Sequence, residues 1–287
     1  MTASPSTRST VAVVTDSTAN FPPGTAPPEV QSVPLVVHLD GRSMFDGELA
    51  GEELTAALRS KRIVTTSRPT PAAFDRAYRA AFDSGATHVV SIHLSRELSG
   101  TWDSARLAAQ DYPYGAVRVV DSRSTAMGLG FAVLAAARAA ADGADTSAVQ
   151  DAAVAAVDRT SCFFYVDTLE YLRRGGRIGT AQALFGTALS MKPILHLTQG
   201  RILPLEKLRT SSRALARMLE MALDGAGGGP VDVAVQHLAA PERAETVVNA
   251  LRDRLPTASS IVFGEVGAVV GAHTGPGTVG IIIARRP

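Results

Sequence analysis

A chain of 287 residues, 46% of them hydrophobic and with a positive mean hydropathy, carries enough apolar material for two compact domains or one large one. Its formal charge is +1, from 28 basic against 27 acidic residues, and no Lys/Arg-rich block interrupts it, which argues against nucleic acid as a partner. The single cysteine, Cys162, rules out a disulfide framework and a cysteine-based zinc cluster, and its place in the apolar run SCFFYV reads as core packing.

The first ten residues, MTASPSTRST, are polar and hydroxyl-rich, the pattern of a flexible tail rather than of a signal peptide. No apolar run approaches the roughly 20 residues that span a bilayer. A cytoplasmic protein with no stable membrane insertion is the expectation. Val11–Thr15 then reads as a strand ending in Asp16-Ser17-Thr18, and Val33–Leu39 as a second strand after a stiff proline-rich connection. A polar loop, HLDGRSMFDGELAG, leads to a helix near Glu52–Ser60. Thr65–Pro71 is extended, because its prolines bar helix before about Pro71, and a helix follows over Ala72–Phe82.

The stretch THVVSIHLSRELSGT, residues 87–101, reads as strand, hydroxyl-rich turn and the start of a helix over Trp102–Gln110. The first amides of a helix lack intrahelical partners and lie at the positive end of the peptide dipoles. Ser99-Gly100-Thr101 therefore either caps the helix or holds an anion there with hydroxyls and backbone amides. Ala116–Val120 is a further strand, ending in Asp121-Ser122, and helices follow over Thr125–Ala141 and Thr146–Asp158. Alternating strands and helices imply a mainly parallel sheet covered on both faces, with ligands at the carboxyl ends of its strands. The clusters Asp16–Thr18, Ser95–Thr101 and Asp121-Ser122 all fall on that edge.

Beyond about Asp158 the pattern changes. Phe163–Val166 reads as a strand, Leu169–Arg174 and Thr180–Leu189 as helices, and Ile194–Thr198 with Arg201–Lys207 as a hairpin through Gln199-Gly200. A helix over Ser211–Leu223, a strand over Val231–Gln236, a helix over Glu242–Leu255 and strands over Ser260–Phe263 and Val279–Ala284 complete the chain. The hairpin implies a mixed or antiparallel second sheet. The expected organisation is α/β: a tail (1–10), an N-terminal α/β domain (11–160) and a C-terminal α/β domain (161–287).

Several groups are candidates for chemistry. Arg173, Arg174 and Arg177 surround the pair Gly175-Gly176, either as an anion-sized concavity or as solvated cations at a helix end. His273 lies among apolar and glycine residues ahead of TGPGT, as a hydrogen-bond donor, a base or a structural residue. A hydrolase triad of Ser99, His273 and Asp121 or Asp16 is the alternative function, although Ser99 lacks the G-x-S-x-G frame of a nucleophile elbow. Met127-Gly128-Leu129-Gly130 sits within a helical stretch, which excludes a dinucleotide loop. The remaining histidines, His38, His88, His93, His196 and His237, show no metal-binding spacing, so neither a metal nor a cofactor is expected.

Seven segments together resemble one family. VTDSTANFP (14–22), TTSRPTP (65–71), LSRELSGTW (94–102), VVDSRSTAMGLG (119–130), TLEYLRRGGRIG (168–179), KPIL (192–195) and GAHTGPGTVGI (271–281) are similar, in order, to the DegV family of bacterial fatty-acid-binding proteins. The resemblance implies a two-domain α/β carrier that buries one long acyl chain, such as palmitate, stearate or oleate, in a tunnel between the domains. It also implies presentation of the carboxylate to an ATP-dependent fatty-acid kinase. Carried over by position, Thr66, Ser67, Ser95 and His273 hold the carboxylate, Ser99, Gly100 and Thr101 shape the pocket, and Arg177 and Arg209 lie near the tunnel mouth. Arg68 and Trp102 stand where the family commonly has Gln and Tyr. Burying about sixteen carbons at about 0.8 kcal/mol each gives on the order of 10 kcal/mol, so only a few polar groups are needed to orient the head.

Overall fold

The structure, a computed structural model, describes residues 10–184 and 191–287. The first part of the chain runs β1 (Val11–Asp16), β2 (Val30–Val33), β3 (Val36–Leu39), β4 (Arg42–Phe45), α1 (Gly51–Arg59), β5 (Val64–Ser67), α2 (Pro71–Asp83), β6 (His88–His93), α3 (Thr101–Ala109), β7 (Val117–Asp121), α4 (Met127–Ala141) and α5 (Thr146–Asp158). The second runs β8 (Thr160–Tyr165), α6 (Glu170–Arg174), β9 (Lys192–Thr198), β10 (Arg201–Leu208), α7 (Ser211–Ala226), β11 (Val231–His237), α8 (Pro241–Arg254), β12 (Ala258–Glu265), α9 (Ala268–Thr274) and β13 (Val279–Arg285).

The apolar strands β1 and β6 are buried on both faces and form the middle of a parallel sheet of order β2-β1-β6-β7. Val14 and Val89 pack with Phe74 and Tyr78 of α2 and Ala105 and Ala108 of α3. Val13, Val90 and Ile92 point the other way, toward Leu129, Val133 and Ala136 of α4 and Val149 and Ala153 of α5. All four strands run the same way, so the clusters at Asp16, Ser95 and Asp121 share one edge.

The expected strand Val33–Leu39 is two strands in two sheets. Pro34, with no amide hydrogen to give a ladder, separates β2 on the parallel edge from β3, the centre of an antiparallel sheet of order β4-β3-β5. The expected loop after Leu39 contains β4, joined to β3 by Asp40-Gly41 with both residues at positive φ, the geometry of a tight hairpin. Thr66 lies on β5 of this small sheet, paired with Val37.

The second sheet has the order β10-β9-β8-β13-β11-β12; β11 and β12 are parallel and the other pairs antiparallel. Gln199-Gly200 forms the hairpin between β9 and β10, again with both φ values positive. The helix expected over Thr180–Leu189 falls partly outside the described residues, which instead hold a 3-10 segment at Gly179–Leu184. The helix α9, unread in the sequence, returns to the first half of the chain: Ala268, Val269 and Ala272 share a core with Leu35, Val37 and Leu54. Gln236 of β11, 1% exposed, also ties the halves, accepting from the amide of Met127 at 2.9 Å and donating to the Asn20 carbonyl at 3.0 Å. No helix among the described residues is long and apolar enough to cross a membrane.

Candidate functional site

A cavity of about 80 Å³ lies where β5, the turn after β6, α6 and α9 meet. Leu35, Leu94, Leu98, Leu172, Ile202, Val269 and Val270 supply an aliphatic wall, and Thr66, Ser67, Ser99, Arg68, Arg177 and His273 a polar end. Thr66 and Ser67 reach it because prolines keep their segment extended, as β5 and the turn ahead of α2.

The centre of the polar end is His273. Its Nε2 lies 2.8 Å from the Thr66 hydroxyl across 207 residues of sequence, whereas Nδ1 has no hydrogen-bond partner among the described residues. Burial first, and the nearby Arg177 charge second, push the imidazole down to about 4, so the ring is neutral at pH 7. The ring fits because residue 175 is glycine: a Cβ there would lie 2.0 Å from Nδ1. Arg177, two residues on, is half-buried and crosses to the β6 turn, donating through Nε to the Leu98 carbonyl at 2.8 Å and through Nη1 to the Gly175 carbonyl at 2.5 Å. Ser67 faces the cavity but also bonds His38 Nε2 on β3, at 2.9 Å.

The two serines of the β6 turn part company. Ser99 lines the cavity, with its Oγ 2.9 Å from the Thr101 hydroxyl and 3.3 Å from the Thr101 amide, so it both shapes the start of α3 and faces the ligand space. Ser95 is fully buried outside the cavity lining. Its hydroxyl donates to the Gly200 carbonyl at 2.8 Å and accepts from the Glu97 amide at 3.1 Å, which joins the turn to the β9–β10 hairpin. The carboxylate role expected of Ser95 therefore meets a hydroxyl already used between the two halves. Gly100 and Thr101 lie behind Ser99 rather than in the lining, and Arg209, exposed after β10, is outside it as well.

Sequence reasoning passed over Thr18 and Thr125 as cavity residues, although both lie in flagged segments. Thr18 is set by Asp16, fully buried, whose Oδ1 accepts from the Thr18 amide at 3.0 Å and hydroxyl at 2.6 Å. Its Oδ2 accepts from the Leu94 amide at 2.9 Å and lies 3.0 Å from His93 Nδ1. This carboxylate is a structural clamp between the ends of β1 and β6.

The hydrolase alternative is not assembled. Ser99 pairs with Thr101, His273 with Thr66, Asp16 with His93 and Leu94, and Asp121 with the amide of Arg123 at 2.8 Å. Among the described residues no base reaches Ser99, and no carboxylate orients His273. Burial pushes the Cys162 thiol up to about 12, far from a reactive thiolate. No group of three or more His, Cys, Asp or Glu among the described residues is placed to hold a metal.

The family model described as "Uncharacterised protein, DegV family" matches residues 10–286. A DegV domain-containing protein of Streptomyces coelicolor is 52% identical over 278 residues, 96% of this chain and 99% of that one. A Thermus thermophilus structure described as "Fatty Acid Binding of a DegV family Protein" aligns with a TM-score of 0.92 at 35% identity, over 96% of this chain and 99% of that one. A Bacillus subtilis structure described as "DegV, a fatty acid binding protein" aligns with a TM-score of 0.86 at 31% identity, over 96% of this chain and 99% of that one. Sequence motifs, sheet topology and relatives agree: the chain belongs to the DegV family.

Proposed function

We propose that this protein binds a long-chain fatty acid in the cavity, without transforming it, and presents the carboxylate to an ATP-dependent kinase. The observation that carries the reading is the pairing of an aliphatic wall with a polar end: the lining holds two guanidiniums, six hydroxyls and a neutral imidazole and, among the described residues, no carboxylate. Such an end orients an anionic head, and the wall matches a hydrocarbon chain. The binding described for the Thermus and Bacillus relatives supports the same ligand class.

Thr66, His273, Ser67 and Ser99 are the proposed contacts of the carboxylate, with Arg177 fixing the wall behind them. Ser95 acts one step removed, by holding the turn against Gly200. The cavity volume of about 80 Å³ is well under the roughly 300–1,000 Å³ of small-molecule sites, so entry of an acyl chain moves Leu94, Leu98, Leu172 and Ile202 apart. The exposed position of Arg68 leaves the head within reach of a kinase from solvent.

Native mass spectrometry of gently purified protein is the test. A bound mass matching a long-chain fatty acid, or a stoichiometric shift with added palmitate, is the expected result; protein that stays ligand-free in excess palmitate refutes the reading. Palmitate-loaded protein mixed with ATP and a fatty-acid kinase is expected to yield acyl phosphate, and the absence of product would remove the presenting role alone.

A further inference from the structure

The two guanidiniums at the polar end of the cavity are not equivalent. Arg177 is committed to the carbonyls of Leu98 and Gly175. Arg68 makes no hydrogen bond or ion pair with any described residue, yet its position is defined. A Cβ built on Gly100 would lie 1.9 Å from its Nη1, 2.9 Å from Cζ and 3.0 Å from Cδ, so the guanidinium occupies the space that a side chain at residue 100 would fill. Ser99, the neighbour of that glycine, faces the same cavity.

This seat has an electrostatic cost. It holds a cation near the amino end of α3, where the peptide dipoles already present positive charge. Among the described residues no acidic side chain lines the cavity to offset it, and His273 is a neutral ring there. An anion placed among Arg68, Ser99 and Thr66 relieves the mismatch, whereas an uncharged head leaves it in place.

We propose that Arg68 is the headgroup-selecting residue of this cavity: seated on Gly100, its guanidinium meets an ionised carboxylate and distinguishes it from a neutral head on the same hydrocarbon chain. The proposal rests on the reading of the cavity as a fatty-acid site. It also assigns Gly100 a reason to lack a side chain, since a methyl group there pushes the guanidinium off its seat while keeping its charge. The colliding atoms are the far end of a flexible side chain, so that displacement proceeds by rotation rather than by unfolding.

The test uses full-length, delipidated protein and two ligands of equal chain length, palmitate and hexadecanol, with affinities measured for the wild type, Arg68→Gln, Gly100→Ala and the double variant. The wild type is expected to prefer palmitate. Arg68→Gln is expected to weaken palmitate about three- to tenfold, a range set by the exposure of Arg68, and to leave hexadecanol unchanged. Gly100→Ala is expected to lower the palmitate preference in the same direction, and the double variant to match Arg68→Gln, because both changes act through one group. An unchanged palmitate-to-hexadecanol ratio in Arg68→Gln, or equal weakening of both ligands, overturns the proposal. A wild-type protein that takes up neither ligand overturns the fatty-acid reading itself, and this inference with it.

Discussion

Acidification offers a direct probe of how deeply His273 is held. Folding lowers its pKa from 6.5 to about 4, through burial first and Arg177 second. The unfolded chain therefore takes up this proton before the folded one does, and stability falls as pH drops below 6.5 and levels off below about 4. Taking those two values, the ring accounts for about 2.5 kcal/mol of lost stability between about pH 7 and pH 4.5. His273→Gln retains a hydrogen-bonding side chain beside Thr66 and removes the titration. Urea unfolding of both proteins at the two pH values isolates the effect, because His196 and His237, which burial also pushes down, are shared by both. The slope is the readout, so any pH-independent cost of the substitution drops out. The wild type is expected to lose about 2.5 kcal/mol more than His273→Gln, and equal losses would refute the claim that burial keeps this imidazole neutral.

Two further outcomes separate site from scaffold. Ser95→Ala is expected to cost about 1 kcal/mol of stability with palmitate affinity nearly unchanged, while Ser99→Ala weakens palmitate about threefold to tenfold; the reverse pattern in titration calorimetry would return the carboxylate to Ser95. Gly175→Ala drives a methyl group against the His273 ring and is expected to destabilise the protein by about 1–3 kcal/mol, read as a lower urea midpoint; an unchanged midpoint would mean that the ring is not seated on Gly175.

Much of the architecture is legible in local pattern. The helix over Thr146–Asp158 and the Gln199-Gly200 hairpin stand where amphipathic spacing and turn chemistry place them. Asp40-Gly41 carries the same turn signal but escapes notice, because β4 is a short, largely exposed strand with no apolar alternation. α9 contains Gly271 and three β-branched residues, a poor helix by propensity, and it forms because its apolar face packs on Leu54 and Val37. Within the site, Thr66, Ser67, Ser99, Arg177 and His273 converge as their segments suggest. What local sequence does not encode is which hydroxyl of a turn faces inward: Ser95 is drawn away by a carbonyl 105 residues distant.

The pairing of Thr66 with His273 across 207 residues also orders events during synthesis. A chain emerging from the ribosome has every strand of its first sheet once Asp121 is out, and that unit can collapse early. The cavity closes only when α9, near the end of the chain, returns to β5. On the fatty-acid reading, ligand loading therefore follows synthesis, and a chain truncated before residue 268 forfeits the cavity while keeping every strand of the parallel sheet and of the small antiparallel sheet.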